Sequence, residues 1–436
     1  MDQLSPAGVT TQPSRLLSIV GGSAGNVIEW FDFLAYSIFS IYFSKAFFPG
    51  VSPTAQLMNA AAIAAVGYVA RPLGSLLIGA IADRHGRRVA LSLAVAMMSA
   101  GSFIIAVTPT FASIGIAAPA ILVAARILQG FSMGGEAGTS ATYLAEMAPA
   151  GRRGFFVGFV QVTVVLGQLL ALGLMLLLQF VFLTPAQLDA WGWRIPFAVG
   201  GLLAIFALFL RRGIAETEAF AVVRERPVQQ NLLVVLWRHR RAVLLSVGIS
   251  IGGTVAFYTF TVYLQKYMVN TSGFPRAQAT LITTMALVIY MGFQPVFGWL
   301  SDIVGRRPMM LVFGVGATLF TVPIMQALGQ THDPLVAFGL NLLALLILSG
   351  FSALHWLVKS ELFPAEIRAL GVGLPFAVIS SIMGGTTEFT ALRLKEAGHE
   401  GAFFYYVSAC AAVSLISILL LPETRVRSTL DADTAR

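Results

Sequence analysis

Residues 79–88 read GAIADRHGRR, and residues 298–307 read GWLSDIVGRR. Gly79, Asp83, Gly86, Arg87 and Arg88 of the first copy recur as Gly298, Asp302, Gly305, Arg306 and Arg307 of the second, at a constant offset of 219 in a chain of 436 residues. An offset of half the chain indicates two similar halves. A second echo, EMAPAGRR at 146–153 against ELFPAEIR at 361–368, has an offset of 215 and follows the fourth apolar stretch of each half.

Both copies of the decapeptide sit in short polar breaks between long apolar stretches. Hydrophobic residues make up 57% of the chain and charged residues 11%, with a mean hydropathy of +0.81. A soluble domain has about a quarter of its residues charged. Residues 89–125 and 154–188 contain no Asp, Glu, Lys or Arg. A bilayer-crossing helix needs roughly 20 apolar residues, so each run holds at least one. The pattern predicts an all-α membrane protein with twelve spans near 18–44, 56–81, 89–108, 116–145, 154–181, 193–212, 242–269, 277–300, 309–328, 335–359, 367–393 and 401–421. The widest break, 213–241, is rich in Arg and Glu and reads as a linker. It divides a six-helix half at 1–212 from a second half, with a short tail, at 242–436. Twice-repeated membrane units of this kind build a central, alternately exposed site in many carriers.

Orientation follows from the basic residues. With the N-terminus in the cytoplasm, 20 of the 28 Lys and Arg fall on the cytoplasmic side. Five fall outside, Lys45, Arg194, Arg276, Arg393 and Lys395, and three lie within spans, Arg71, Arg126 and Lys266. An even number of spans puts both termini in the cytoplasm. The formal charge of +8 is explained by these loop residues and does not indicate nucleic acid. The first apolar stretch already carries Glu29 and Asp32 and reads as a retained span, not a cleaved leader. Cys410 is the single cysteine, which excludes an intramolecular disulfide.

In the decapeptides, Gly79 and Gly298 allow close helix contact, and Gly86 and Gly305 supply tight-turn angles. Asp83 and Asp302 can accept from free amides at a neighbouring helix N-terminus. Arg87, Arg88, Arg306 and Arg307 can grip acidic side chains, with Glu146 and Glu361 as mates. Together these residues form an expected gate at the cytoplasmic ends. The simpler alternative makes the arginines topology anchors and the glycines turns. His85 stands in the same loop with no further His or Cys to complete a metal site.

The repeated G-x-x-x-D-x-x-G-R-R resembles the signature loop of the major facilitator superfamily. GNVIEWFD at 25–32, RPLG at 71–74, RILQG at 126–130 with GGE at 134–136, WRIPF at 193–197 and the closing PET at 422–424 are similar to its metabolite:proton symporter branch. YTFTVYLQKY at 258–267 resembles the α-ketoglutarate carriers of that branch. The resemblance implies a fold of twelve helices in two pseudo-symmetric halves. It also implies proton-coupled uptake of α-ketoglutarate or a close dicarboxylate across a bacterial inner membrane. Relatives in the branch carry citrate, shikimate, proline or betaine, and these solutes stay open. The expected partners are a small organic anion, protons and the lipid bilayer, with the chain acting as a monomer without cofactor or metal.

Ionisable groups deep in spans are costly and mark polar paths or pairs. A dicarboxylate needs cationic groups, preferably an arginine fork. Arg71 and Lys266, one from each half, are the expected clamps, with Tyr36, Tyr258, Gln161, Gln168, Gln265 and Gln294 as hydrogen-bonding groups. Arg71 can instead pair with Asp32 or Glu29, and Lys266 can snorkel to the outer interface. Proton coupling needs a carboxylate whose protonation depends on its surroundings. Asp32 and Glu136 are the first candidates and Glu29 the next, with Arg126 placed to modulate one of them. His332 and His355 are weaker relays. The chain has no metal-ligand cluster and no nucleotide-binding loop, so neither an enzyme nor an ATP-driven carrier is expected. No segment is long enough for the soluble output domain of a sensor.

Overall fold

The computed structural model describes residues 15–85, 87–133, 151–212, 237–364 and 367–425, together with Ala145, Ala148, Pro149 and Leu430. All regular structure among them is helical. The first half supplies α1 (Arg15–Phe47), α2 (Pro53–His85), α3 (Arg87–Val107), α4 (Ala117–Ser132), α5 (Arg153–Phe182) and α6 (Ile195–Arg212). The second supplies α7 (Arg240–Asn270), α8 (Arg276–Val304), α9 (Arg306–Gln330), α10 (Pro334–Leu362), α11 and α12 (Glu400–Leu419). Helix α11 runs as Arg368–Ile379, a π-helical turn Ser380–Gly384, and Gly385–Glu396. Most of the expected linker, residues 213–236, lies outside the described residues.

Seven of these helices, α1, α5, α7, α8, α9, α10 and α12, are long and apolar enough to cross a bilayer by themselves. Helices α3, α4 and α6 contribute shorter apolar stretches. In α2 and α11, buried charges, Arg71 and Glu388, take the place of apolar residues. Large apolar side chains such as Phe180, Phe182, Leu202, Phe206 and Leu319 point outward, as a lipid-facing surface requires.

The packing is a pseudo-two-fold arrangement. In the first half α1 packs on α5 and α6, α3 on α4 and α6, and α2 on α4. In the second half α7 packs on α11 and α12, α9 on α10 and α12, and α8 on α10. The halves meet where α5 lies on α8 and α2 on α11, which are equivalent pairs. Local breaks fall beside this interface. Helices α7 and α11 each contain a π turn, Thr259–Tyr263 and Ser380–Gly384, and α10 is interrupted between Ser352 and His355. Such irregularities concentrate at functional positions.

The halves are bridged at both ends. At the end bearing the second decapeptide, hereafter the motif end, α5 touches α8 through Gly154 and Gly298, where a Cβ on either glycine would lie 2.2 Å from the other's carbonyl oxygen. At the opposite end Asp189, on the short helix Pro185–Ala190, bonds Lys45 of α1 at 2.5 Å and Arg276 of α8 at 3.0 Å. There Ser52 also donates to Glu396 of α11 at 2.8 Å.

Candidate functional site

Close approach of α2 and α4 creates the centre of the site. A Cβ on Gly130 would lie 2.1 Å from the carbonyl oxygen of Gly67, and one on Gly74 would lie 2.3 Å from that of Phe131. Only glycine permits this spacing, and it sets Arg71 and Arg126 side by side. Pro72 removes the amide that would bond Tyr68, loosening α2 next to Arg71. Both guanidinium groups lie over the Phe33 ring, at 4.1 Å for Arg71 and 4.3 Å for Arg126. Arg71 also sits 4.4 Å from the Tyr68 ring, and Arg126 sits 4.6 Å from that of Tyr36. Tyr68 packs edge-on against Tyr258 of the second half at 5.3 Å.

These cations are only partly satisfied. Arg71 points one nitrogen at the Met133 sulfur, 3.4 Å away, and Arg126 donates to Gln129 at 2.8 Å. Among the described residues, the Nε of Arg71, the Nε and Nη2 of Arg126 and the Tyr36 hydroxyl are buried without a hydrogen-bond partner. Buried donors normally find acceptors, and an acceptor-rich group would match these.

Asp32 is buried beside it. Its carboxylate accepts from the Ser102 hydroxyl and, at 2.7 Å, from the Gln129 amide. Gln129 therefore links Asp32 to Arg126, accepting from the arginine through its oxygen and donating to the carboxylate through its nitrogen. Gly200 of α6 leaves the space, since a Cβ there would lie 2.2 Å from Asp32 Oδ1. Glu29, one turn earlier on α1, is also buried. Among the described residues Asp32 does not ion-pair Arg71, and Lys266 does not snorkel but is fully buried and bonded to Glu388 of α11. Tyr36 lies within electrostatic reach of both Arg126 and Glu388.

The glutamines divide. Gln168 of α5 donates to the Thr261 carbonyl in the α7 π turn and so ties the halves, leaving its Oε1 without a partner. Gln265 donates to Thr280 at 2.9 Å. Gln294 donates to the Tyr290 carbonyl and accepts from Ser352 at 2.8 Å, within the second half. Gln161 is buried on α5.

At the motif end, Asp302 accepts from two amides in the first turn of α5, Gly154 at 2.8 Å and Phe155 at 2.9 Å. It also pairs with Arg306 at 2.7 Å. Arg306 reaches Glu361 at 3.4 Å, and Thr424 donates to the same glutamate at 2.5 Å. Glu423 caps α9 through the amides of Arg306 and Arg307, and the guanidinium of Arg307 donates to the Leu419 carbonyl. Gly305, at φ 113°, makes the turn between α8 and α9 in a region that disfavours side chains. Gly86, Glu136 and Glu146 lie outside the described residues, as do the surroundings of Gly79 and the side chains of Asp83, Arg87 and Arg88.

The chain matches the sugar (and other) transporter family over residues 18–231 and 226–435. It is 48% identical to the alpha-ketoglutarate permease of Escherichia coli over 93% of this chain and 94% of that one. It is 30% identical to the citrate-proton symporter of Klebsiella pneumoniae over 98% of both. The chain belongs to the major facilitator superfamily. Its fold superposes on the xylose transporter of E. coli in a partially occluded inward-open conformation, with a TM-score of 0.75, 20% identity and coverage of 94% of this chain and 98% of that one. It is a multi-pass membrane transporter, not an enzyme.

Within this transporter, several central residues carried little sequence signal. Phe33, Tyr68 and Ser102 belong to none of the motifs or in-span charges that the sequence singles out. Gln129 was visible only as part of RILQG. Lys359 and Arg368, counted with the cations on the cytoplasmic side, are buried. Arg368 donates to the Ser360 and Phe363 carbonyls at 3.1 Å and ends the α10 segment.

Proposed function

We propose that the chain is a proton-coupled symporter importing α-ketoglutarate or a closely related dicarboxylate across a bacterial inner membrane, with the motif end and both termini in the cytoplasm. The observation that carries this reading is the pair of buried guanidinium groups, Arg71 and Arg126, sharing the Phe33 ring with donors left unused. Two planar forks suit a molecule with a carboxylate at each end. Likeness to a permease of that substrate supports α-ketoglutarate among dicarboxylates. Lys266, engaged by Glu388, is a third cation that joins only if the glutamate releases it.

Coupling follows from the Asp32–Gln129–Arg126 link. While Asp32 is ionised, its charge is balanced in part by Arg126. Adding a proton removes that charge and leaves Arg126 to the substrate carboxylate. Proton and substrate thus favour each other's binding, and the coupling is reciprocal. Glu136 and Glu29 are the remaining proton candidates. Release inward requires α5 to leave Asp302, and loading from outside requires Arg276 to leave Asp189.

The test is uptake in right-side-out vesicles with an acidic exterior. Radiolabelled α-ketoglutarate should be concentrated, the gradient should collapse with a protonophore, and excess citrate, shikimate, proline or betaine should compete poorly. Transport of proline or betaine without α-ketoglutarate would overturn the substrate. Accumulation that requires sodium and survives the protonophore would overturn the coupling.

A further inference from the structure

Lys359, in the final turns of α10, is fully buried. Its ammonium lies 3.3 Å from Nδ1 of His355, one turn earlier. The rings of Trp356 and Phe376 stand 5.5 Å and 4.6 Å from it. His355 is held by stacking on Phe351 at 4.6 Å and by contact with Phe376. Among the described residues no carboxylate pairs with Lys359. Glu361, two residues on, is occupied by Arg306 and Thr424.

A buried ammonium without an anion is costly, and the aromatic faces offset only part of that cost. An ammonium has three donors, of which His355 takes one. The surroundings repeat those of the central site: a cation on aromatic rings with unused donors. The position is informative as well. Lys359 lies on the segment of α10 that follows the break before His355, and Trp356 and Leu357 of that segment pack with Val157 and Val160 of α5. The segment therefore stands where the two halves meet. Lys359 is about 3 Å along the helix axis from Glu361, immediately inside the motif-end network.

We propose that Lys359, oriented by His355, is a second carboxylate-binding site on the motif-end half of the path, taking one carboxylate of the solute after the central guanidinium groups let it go. The proposal rests on reading the chain as a carboxylate importer. While the motif end is closed, the aromatic rings hold the cation. As α5 withdraws from α10, the unused donors meet the passing anion, so the solute moves between two cationic stations instead of leaving the arginines directly for water.

The experiment compares the two faces of the membrane. Half-saturating α-ketoglutarate concentrations are measured in right-side-out and inside-out vesicles for the unmodified protein, Lys359→Gln, Lys359→Met, Lys359→Arg and His355→Gln. Lys359→Gln and Lys359→Met should raise the value about tenfold or more on the motif side and less than about threefold on the other. Lys359→Arg, which keeps the charge, should stay within about threefold on both faces, and His355→Gln should weaken the motif side alone. Lys359→Met removes a buried charge while keeping an unbranched chain, so it guards against a folding defect in Lys359→Gln. Equal weakening on both faces, or unchanged motif-side affinity in Lys359→Met, would overturn the proposal. Uptake by the unmodified protein tests the proposed function separately. If it accumulates another carboxylate, the substrate assignment fails and the Lys359 comparison is read with that solute. If it carries only solutes without a carboxylate, both readings fall.

Discussion

A single methyl group at Gly298 should hold the motif end open. A Cβ built there lies 2.2 Å from the carbonyl oxygen of Gly154 and 2.7 Å from its carbonyl carbon. Both atoms are backbone, so no rotamer change relieves the clash. Ordinary contact begins near 3.4 Å, so α5 and α8 must separate by about 1 Å. The same movement stretches the 2.8 Å and 2.9 Å bonds from Gly154 and Phe155 to Asp302 beyond useful length. Overpacking by itself costs about 1–3 kcal/mol, and each bond to a charged acceptor contributes about 1.5–3 kcal/mol. The open arrangement bears neither cost, so the penalty falls on the closed state alone. Even 2–3 kcal/mol shifts the balance about 30- to 150-fold toward an open motif end.

The readout is labelling of Val160→Cys, a buried position of α5 at the motif-end interface, in a Cys410→Ala background. Inside-out vesicles should react with a membrane-impermeant maleimide about tenfold faster or more when Gly298→Ala is added, and uptake from the outside should fall. Gly292→Ala is the control, because a Cβ on that glycine of the same helix meets nothing within 4 Å. Unchanged labelling with normal uptake in Gly298→Ala would refute the idea that this glycine contact latches the two halves.

Asp32→Asn should abolish accumulation of substrate while leaving exchange of labelled for unlabelled substrate within about threefold, since Ser102 and Gln129 can still bond the amide. If exchange disappears as well, Asp32 serves binding or folding and not coupling. Arg126→Lys should weaken substrate binding by about 2 kcal/mol or more, roughly 30-fold, because the carboxylate fork is lost; equilibrium binding to purified protein measures this, and unaltered affinity would remove Arg126 from the site. Lys266→Ala should lower thermal stability in detergent by about 3–5 kcal/mol by stranding Glu388, whereas the double change Lys266→Met with Glu388→Gln should recover most of it. A double variant as unstable as the single one would show that Lys266 acts through contacts other than Glu388.

The helices were legible because the bilayer imposes a length and an apolarity that a sequence can hardly disguise. The spans read near 277–300 and 309–328 appear as Arg276–Val304 and Arg306–Gln330, extended by the turns that enter the polar rim. The motif end was legible from repetition. Asp302 was expected to seek free amides at a helix N-terminus, and it meets those of Gly154 and Phe155. Less could be read of the centre, because side-chain partnership between distant helices leaves no spacing in one chain. Arg71 and Lys266 looked alike as isolated intramembrane cations, yet one faces aromatic rings with donors unused and the other is bonded to Glu388, 122 residues away. Arg126 carried the opposite ambiguity: the sequence set it to modulate one of Asp32, Glu136 and Glu29 without saying which, and its unused donors emerge only when Gln129 and Phe33 are in place. Lys359 was hidden by its position at the end of an apolar run, where a loop lysine is the usual reading.

The two ends of the molecule are built from interactions of unequal strength, and the inequality bears on direction. At the end opposite the motif, the ion pairs of Asp189 are partly solvated, with side-chain exposures of 47% for Lys45, 40% for Arg276 and 24% for Asp189. Such pairs contribute about 0–1 kcal/mol each. At the motif end Asp302 and Arg306 are 4% and 3% exposed, the carboxylate also takes two backbone amides, and two glycines bring α5 and α8 into direct contact. Breaking a buried set of this kind costs several kcal/mol. With the motif end in the cytoplasm, as proposed, an empty carrier opens outward readily and inward only when binding at Arg71, Arg126 and Asp32 offsets the larger cost. That ordering suits an importer, because an empty or half-loaded carrier rarely exposes its site to the cytoplasm and protons do not leak through it. It follows that the carboxylates at the two ends are not interchangeable in effect. Asp189→Asn should change uptake by less than about threefold, whereas Asp302→Asn should admit maleimide from the motif side without substrate and uncouple proton entry from solute entry, read as acidification of vesicles lacking α-ketoglutarate. If the two variants behave alike, the exposed and the buried latch have equal weight, and the directional argument fails.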